Sequence, residues 1–389
     1  MSSFSPGDII VNQCSITGDG GSVDISRRIR SFQVFENLQK PFSSIQMVVV
    51  DNTGLMDRNL VLNGHNVLSL SFQNVGQAPY TNVWAVTSVE KASQTQNLRT
   101  KIYTITGYSL HMLNLTRVQK AFKNIPSTSA ISDLVNTFLK PYKGFSVRDP
   151  SRGLLGSELM PFNINGQQIF AALKNIMNQS ASTSNDSSAY TMFEDKNGLV
   201  LDSLENILNT ALGNIVATYI QRPLGQAFYR DQALQSYVIL SLRENARVDR
   251  TSSLQAESQA TRVYDIFSHK FSSATSNFGG SSANPSTYQN LGYNLMRTPS
   301  FAHIYAAPRK WIASMFDGQS VTIQVPFNSD LTVACGLWID SIAPGGDTDT
   351  AVLDGLAGPV VATEVCHNVR LDRKKMQGIS CARCITGRG

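Results

Sequence analysis

Cysteine is the residue type whose placement in this chain most invites chemistry. Cys14 stands alone near the start, while Cys335, Cys366, Cys381 and Cys384 all fall in the terminal stretch. Suppose "GLWIDSIA" (336–343) and "VVATEVCHNV" (360–369) pair antiparallel about a loop centred near Val352; Cys335 and Gly336 then lie opposite His367 and Asn368. If "CHNVRL" pairs in turn with "ISCARCI" about "DRKKMQ", Cys366 lies opposite Ala382. These registers bring all four thiols to one end of a three-stranded sheet, a placement that a slip of one or two residues would blur. Three readings stay open. Four thiolates could hold zinc or an iron–sulfur cluster. Two could close a disulfide outside the cell, or all are buried thiols acting as small hydrophobes.

Other chemistry is sparse. There is no Gly-x-Ser-x-Gly elbow, no His-Glu-x-x-His and no phosphate loop. His65, His111, His269, His303 and His367 are isolated in sequence. "GGDTDTAVLDG" (345–355) puts Asp347, Asp349 and Asp354 on one loop, but the spacing fits no EF-hand and reads as a solvated turn.

The elements that must position these residues are mostly strands. "KPFSSIQMVVVDNTGLM" (40–56) is an apolar, β-branched run that stops on turn-forming residues. "NGHNVLSLSFQN" (63–74) alternates Leu68, Leu70 and Phe72 with serines, as a half-buried strand does. With "DIIVNQCSIT" and "SVDISRRIRSFQVFEN" around a "GDGG" turn, then "TNVWAVTSVEKA" and "RTKIYTITGYS", residues 1–118 predict a small barrel of six or seven strands. Residues 119–228 predict an inserted, helix-containing α+β domain. It holds amphipathic helices over 126–142 and 165–180, a polar loop at 180–188 and a hairpin turning at Asp195–Gly198. Residues 229–389 return to strands, "SYVILSLREN" and "TRVYDIFSHKFSS" first, and predict a second barrel with a mobile polar loop over about 273–300. The closing meander echoes the first: Val86-Thr87-Ser88-Val89 against Ala362-Thr363-Glu364-Val365. The fold class is therefore mostly β, two related barrels flanking a mixed helical and β insert.

Charged residues make up only 16 %, with Ser, Thr, Asn and Gln filling the deficit. Such surfaces suit chains that pack against copies of themselves, because burying a hydroxyl costs less than burying an ion. The net charge of +5 is mild, and only "SRRIR" (26–30) and "RLDRKK" (370–375) cluster, which argues against a nucleic-acid reader. "MSSFSPGDII" lacks the basic start and apolar core of a signal peptide, and no run is long enough to span a bilayer. These features predict synthesis in the cytoplasm, with reduced thiols.

The order of the pieces resembles the baseplate hub proteins of contractile-tailed bacteriophages, which are related to the hub part of type VI secretion spike proteins. The likeness runs through "FENLQKPFSSIQMVVVDNTG", "LNGHNVLSLSF", "YTITGYS", "AISDLVNTFL", "NGQQIFAALKNIM", "YTMFEDKNGLVL", "YVILSLREN", "VYDIFSHKF" and "VTIQVPFNSDLTVACGLWIDSI" with "EVCHNVRLD". One departure is Cys335-Gly336, where the family usually has Pro-Gly. The resemblance implies a non-catalytic structural virion protein of the tail baseplate, assembled in the host cytoplasm. It implies a homotrimer whose two tube-like barrels per chain make six around an axis, joining a hexameric tail tube to a trimeric central spike. Its partners would be the tube protein, the spike protein and baseplate wedge or other tail proteins. DNA would pass through the lumen without sequence-specific binding. Some hub proteins of long non-contractile tails carry iron–sulfur clusters in a C-terminal segment, so the resemblance slightly favours iron–sulfur over zinc at Cys335, Cys366, Cys381 and Cys384. Arg370, Arg373 and Arg383 would help hold such an anionic cluster. The alternative, a tail-associated cell-wall hydrolase or carbohydrate-binding component, rests on the polar surface and the acidic loop alone.

Overall fold

Apolar–polar alternation over most of the first 110 residues becomes a run of antiparallel strands with one face dry. A computed structural model describes residues 7–59, 65–74, 76–94, 97–117, 119–125, 144–148, 151–153, 162–178, 180–182, 189–221, 238–245, 258–265, 270–277, 320–340, 357–372 and 375–386. The opening strands are β1 (Asp8–Gly18), β2 (Gly21–Asp24), β3 (Ile29–Asn37), β4 (Lys40–Asp51), β5 (Val67–Asn74), β6 (Tyr80–Gln94) and β7 (Asn97–Ser109). The middle holds β8 (Gln119–Ile125), β9 (Phe145–Val147), β10 (Ser151–Gly153), β11 (Phe162–Gln168), β12 (Ser180–Ser182), β13 (Tyr190–Asp195), β14 (Gly198–Ser203) and β15 (Ile215–Ile220). The last are β16 (Ser241–Asn245), β17 (Ser258–Asp265), β18 (Lys270–Asn277), β19 (Ser320–Pro326), β20 (Gly336–Asp340), β21 (Gly358–Asp372) and β22 (Lys375–Thr386).

Eight strands close a barrel in the order β21-β3-β4-β7-β6-β5-β1-β22, with β22 pairing back to β21. Six of the eight come from the first 118 residues, as alternation predicts, and the C-terminal hairpin supplies the other two. The barrel interior is filled by Phe32, Val34, Met47, Leu70, Phe72, Trp84 and Tyr103, among others. The near halves of the same hairpin belong to a second sheet, ordered β15-β20-β21-β22-β19-β16. A parallel bridge between Ile220 and Val238, with Ile239 N donating to Ile220 O at 2.9 Å, links the two ends of that sheet. Its core gathers Phe193, Val200, Ile207, Ala217, Tyr219, Val321, Leu337 and Val361. Residues 189–221 thus share a core with the terminal strands, and the packing crosses the boundary expected near residue 228.

The ribbon β21–β22 changes partners on both edges, and each change has a local cause. On one edge β20 pairs up to Val361 and β3 takes over at Glu364, with a bulge at Thr363 between them. Thr363 O accepts Leu38 N at 2.8 Å, so the bulged residue is not orphaned. On the other edge β19 gives way to β1 at Gly378, whose N–H donates to Gly7 O and whose carbonyl accepts Phe327 N. A Cβ on Gly378 would sit 2.9 Å from Phe327 Cβ and closer still to Ile9.

The echoed tetrapeptides carry the same defect. The β6–β7 register shifts between Val86 and Ser88, and the β21–β22 register between Ala362 and Glu364. Thr87 Oγ1 donates to Thr106 O at 3.2 Å and Thr363 Oγ1 to Arg383 O at 3.1 Å, in each case the carbonyl of the residue facing the position after the bulge.

Several sequence expectations are refined. The hairpin at Asp195–Gly198 forms, with Asp195 Oδ1 accepting Asn197 N and Gly198 N. The helix expected over 165–180 is Ile169–Asn178, because Phe162–Gln168 pairs with β8 as a strand first. "TRVYDIFSHKFSS" is a hairpin, β17–β18, and not one strand, so the polar loop expected from 273 begins no earlier than 278. The helix over 126–142, loop residues 183–188 and 278–300, and the acidic loop at 345–355 lie outside the described residues. Among the described helices, Leu55–Asn59, Leu110–Arg117 and Leu204–Gly213 have no counterpart in the sequence expectations; the last carries plain signals, since Ser203 Oγ accepts Asn206 N at 3.2 Å as the N-cap and Ile207 and Ala211 face the core.

That helix ends against β20 at Gly336, where a Cβ would lie 1.7 Å from the Ala211 carbonyl oxygen. The glycine of Cys335-Gly336 is therefore a packing requirement. Gly336→Ala should lower the unfolding free energy by about 3 kcal/mol in urea titration, since backbone must move to admit the methyl. Gly213→Ala, where a Cβ meets nothing within 4 Å, should not destabilise; equal behaviour of the two variants would contradict this packing.

Candidate functional site

The four terminal cysteines form two pairs and not one cluster. Cys366 faces Cys381 directly across β21–β22, not Ala382 as the turn length suggested; the register is one residue away. Gly336 faces Val361 instead of Asn368, which carries Cys335 far from His367. Cys381 and Cys384 are three residues apart on an unbroken strand, so they point to opposite faces. Cys384 is fully buried in the second core, where Cys335 packs against the same cluster. Cys366 and Cys381 instead line an outer groove of about 370 Å³ with Phe35, Phe42, Glu364 and Arg383.

Burial pushes the Cys335 and Cys366 thiols up to about 12, with the neighbouring Cys381 adding to the effect on Cys366. Cys381 and Cys384 are raised by burial too, Cys384 further by Cys335. Among the described residues no group of three or more His, Cys, Asp or Glu side chains is placed to hold a metal ion. A four-thiolate zinc or iron–sulfur site does not fit sulfurs divided between two faces of one ribbon. Cys14 is buried in the barrel core, its Sγ 3.9 Å from Met47 Sδ.

The strongest polar constellation was not picked out from the sequence. Glu36 is 2 % exposed: its Oε1 accepts Tyr80 OH at 2.7 Å and its Oε2 accepts Val333 N at 3.1 Å. Nearby, Glu194 enters the barrel rim from β13, where its two oxygens accept Ser43 N, Ser43 Oγ and Ser109 Oγ at 2.8–3.0 Å. Asn328 Nδ2 donates to Tyr219 OH, and Lys196 pairs with Asp330 at 2.6 Å. His367, fully buried, contacts Ser380 Oγ through Nδ1 at 2.9 Å and packs edge-on against Phe72, Tyr80 and Phe327. These groups fasten loop 327–335 between the two cores. The readable signal was alternation: in "FQVFEN" the inward positions are Phe32, Val34 and then Glu36, a charge where a hydrophobe is due.

Burial pushes Glu36 up to about 8, against hydrogen bonds from Tyr80 and Val333 that pull the other way. Burial also pushes His367 down to about 4. Both groups are buried and hydrogen-bonded within the seam between the two cores.

The outer wall is the remaining surface of interest. Across five strands run Cys381, Cys366, Phe35, Ser44 and Tyr108, and beside them Ile379, Asn368, Gln33, Gln46 and Thr106. Neither row carries a charge, and Phe35, Tyr108 and Ile379 are exposed. On the second sheet Trp338 and Val216 are exposed likewise. No described helix is long and apolar enough to cross a membrane.

No family model matches the chain, and no curated protein matches it. Solved structures do. A 43 kDa tail protein of prophage MuSo2 from Shewanella oneidensis aligns over 96 % of this chain and 98 % of its own at TM-score 0.58 and 9 % identity. The tail protein from Neisseria meningitidis MC58 aligns over 96 % of both chains at TM-score 0.55 and 12 % identity. A Francisella PdpA–VgrG complex aligns over 97 % of this chain and 52 % of that one at TM-score 0.55 and 9 % identity. The chain has the fold of these tail proteins.

Two outcomes follow from the site. Between pH 4.5 and 8 the folded state holds a proton on Glu36 that the unfolded chain has released, so stability falls as pH rises. Between about 4 and 6.5 the unfolded chain holds a proton on His367 that the folded state lacks, so stability rises with pH. The two oppose each other up to pH 6.5, leaving a decline of at most about 2 kcal/mol between 6.5 and 8. Chemical denaturation across that range should show it, and Glu36→Gln should flatten it; a wild-type decline that survives the substitution would assign it elsewhere. Second, chelators should leave the melting temperature unchanged, and elemental analysis of anaerobically purified protein should find no stoichiometric zinc or iron.

Proposed function

We propose that this chain is a non-catalytic structural subunit of a phage-type tail baseplate, a trimeric hub between a hexameric tail tube and a trimeric spike. One observation carries the reading: the chain repeats a five-strand unit within the fold of a tail protein. In the barrel the order is β3-β4-β7-β6-β5, and in the second sheet β16-β19-β22-β21-β20, every neighbour antiparallel in both. The bulges at Thr87 and Thr363 occupy the same place in each.

Three chains with two such units each supply six similar units around an axis, which suits a sixfold tube above and a threefold spike below. Uncharged outer rows suit walls that are buried on assembly, since hydroxyls and amides are cheaper to desolvate than ions. In this reading the protein works in the virion baseplate after assembly in the host cytoplasm, against tube, spike and wedge proteins. DNA passes the lumen unread.

Size exclusion with light scattering, run up to assembly concentrations, tests it. A particle of three 42.5 kDa chains is expected. A chain that stays monomeric throughout would overturn the hub reading.

A further inference from the structure

At one level of the molecule the barrel and the second sheet are a single sheet, and two thiols face each other there. Between the Thr363 bulge and Gly378 the ribbon has β3 of the barrel on one edge and β19 of the second sheet on the other. One rung across this stretch runs Gln324, Cys381, Cys366 and Phe35. Gly378 turns its N–H and its carbonyl away from β21, to Gly7 and Phe327. Counting from it, Val369–Gly378 is an open pair, and by alternation Cys366–Cys381 is a hydrogen-bonded one. Such a pair holds its Cα atoms about 5.5 Å apart, within the roughly 4.4–6.8 Å that a disulfide spans. Both thiols are half-buried and line the outer groove, whereas Cys14 and Cys384 are enclosed in separate cores.

We infer that Cys366 and Cys381 are a reversible dithiol–disulfide site, closed by a small-molecule disulfide such as oxidised glutathione, and that the closed form clips the barrel to the second sheet. The thiolate of one cysteine attacks the S–S bond of the reagent. One half of the reagent leaves and takes up the proton that the cysteine released. The second cysteine's thiolate then attacks the protein sulfur of this mixed disulfide, forming the Sγ–Sγ bond and expelling the other half. Two cysteines are oxidised, one reagent disulfide is reduced to two thiols, and two protons pass from protein to reagent. The Cβ atoms of a hydrogen-bonded pair lie about 5.5 Å apart, wider than the roughly 3.8 Å of a relaxed bridge, so the bond forms under strain and is readily reduced. Burial raises both thiols, so thiolate is scarce at neutral pH and exchange quickens about tenfold per pH unit between about 7 and 9. Once made, the bond closes a ring over residues 366–381, and no unfolding route can strip β21 fully from β22 while it holds. In the hub reading this wall is covered on assembly, so exchange belongs to the free chain. The site itself rests on register and exposure, not on that reading.

The full-length free chain tests it. Oxidised glutathione at about pH 9 should remove two of the five thiols and lower the mass of the chain by two hydrogens. Trypsin with a Glu-specific protease cuts after Glu364, Arg370, Lys375 and Arg383, which puts Cys335, Cys366, Cys381 and Cys384 in different peptides. The peptides of Cys366 and Cys381 should be the joined pair. Urea unfolding of the oxidised chain should be about tenfold slower, and dithiothreitol should restore the original rate. Cys366→Ser and Cys381→Ser, both at half-buried positions, should each abolish the bond and the slowing. Five surviving thiols, glutathione retained on either cysteine, or a bond between Cys335 and Cys384 or between chains overturns the site. Exchange that levels off at about pH 8.5, as an ordinary cysteine's does, overturns it as well. A 366–381 bond that leaves the unfolding rate unchanged overturns the clip.

Discussion

One ribbon of backbone, β21 with β22, serves two sheets at once, and the rest of the molecule is arranged around that sharing. A strand can change partners midway only if no peptide group is left unbonded at the crossing, since a buried orphan costs about 1–3 kcal/mol. Thr363 meets the condition with a bulge whose carbonyl accepts Leu38 N. Gly378 meets it by giving its N–H to Gly7 and its carbonyl to Phe327, in a space too tight for a side chain. Because the hairpin spans both cores, the barrel cannot lose β21 and β22 without opening the second sheet. The two halves are expected to unfold as one cooperative unit.

Sharing a hairpin brings two apolar cores into contact at a seam, and the seam is polar. Glu36, Glu194, Asn328 and His367 all lie there, each buried and each with named hydrogen-bond partners. Apolar residues alone would let the cores slide against each other, whereas a carboxyl group that must meet Tyr80 OH and Val333 N admits one placement. Glu36 is raised to about 8 because it is held where a charge is poorly solvated. The seam gains definition at the expense of stability in alkali.

How much was legible follows from the range of the interactions. Strand alternation is local, so β1 to β7 were readable from Ile16, Phe32, Met47, Leu70 and Ile105 and their polar neighbours. Barrel closure depends on pairing β3 with β21 across more than 300 residues, and no local pattern announces it. Register lies between the two. The turn "DRKKMQ" placed Cys366 within one residue of its true partner, but one residue suffices to put a thiol on the other face. The four-thiol cluster dissolves because Cys381 and Cys384, three residues apart on one strand, face opposite sides, and because β20 meets β21 at Val361 instead of near Asn368. Glu36 broke the inward alternation of β3 in plain view, yet an inward charge gains meaning only when Tyr80 and loop 327–335 are known to meet it.

The echo between Val86-Thr87-Ser88 and Ala362-Thr363-Glu364 could have been chance, because alternating strands resemble one another. The shared bulge is harder to obtain by chance. It needs an extra residue at the same point of two registers, and a hydroxyl there to bond the carbonyl facing the next position. Threonine suits that place, being β-branched and still able to donate. The copies then diverge in use. At Thr363 the bulge marks where one strand leaves β20 for β3, so it is the joint between units. At Thr87 it follows the end of the β5 pairing, and the edge beyond it carries Glu90 and Lys91. Outer faces diverge as well: Ser69 in β5 corresponds to the exposed Trp338 in β20. Two copies of one unit with different outer faces are what a chain requires if one set of strand pairings is to hold it together while its two ends meet different surroundings.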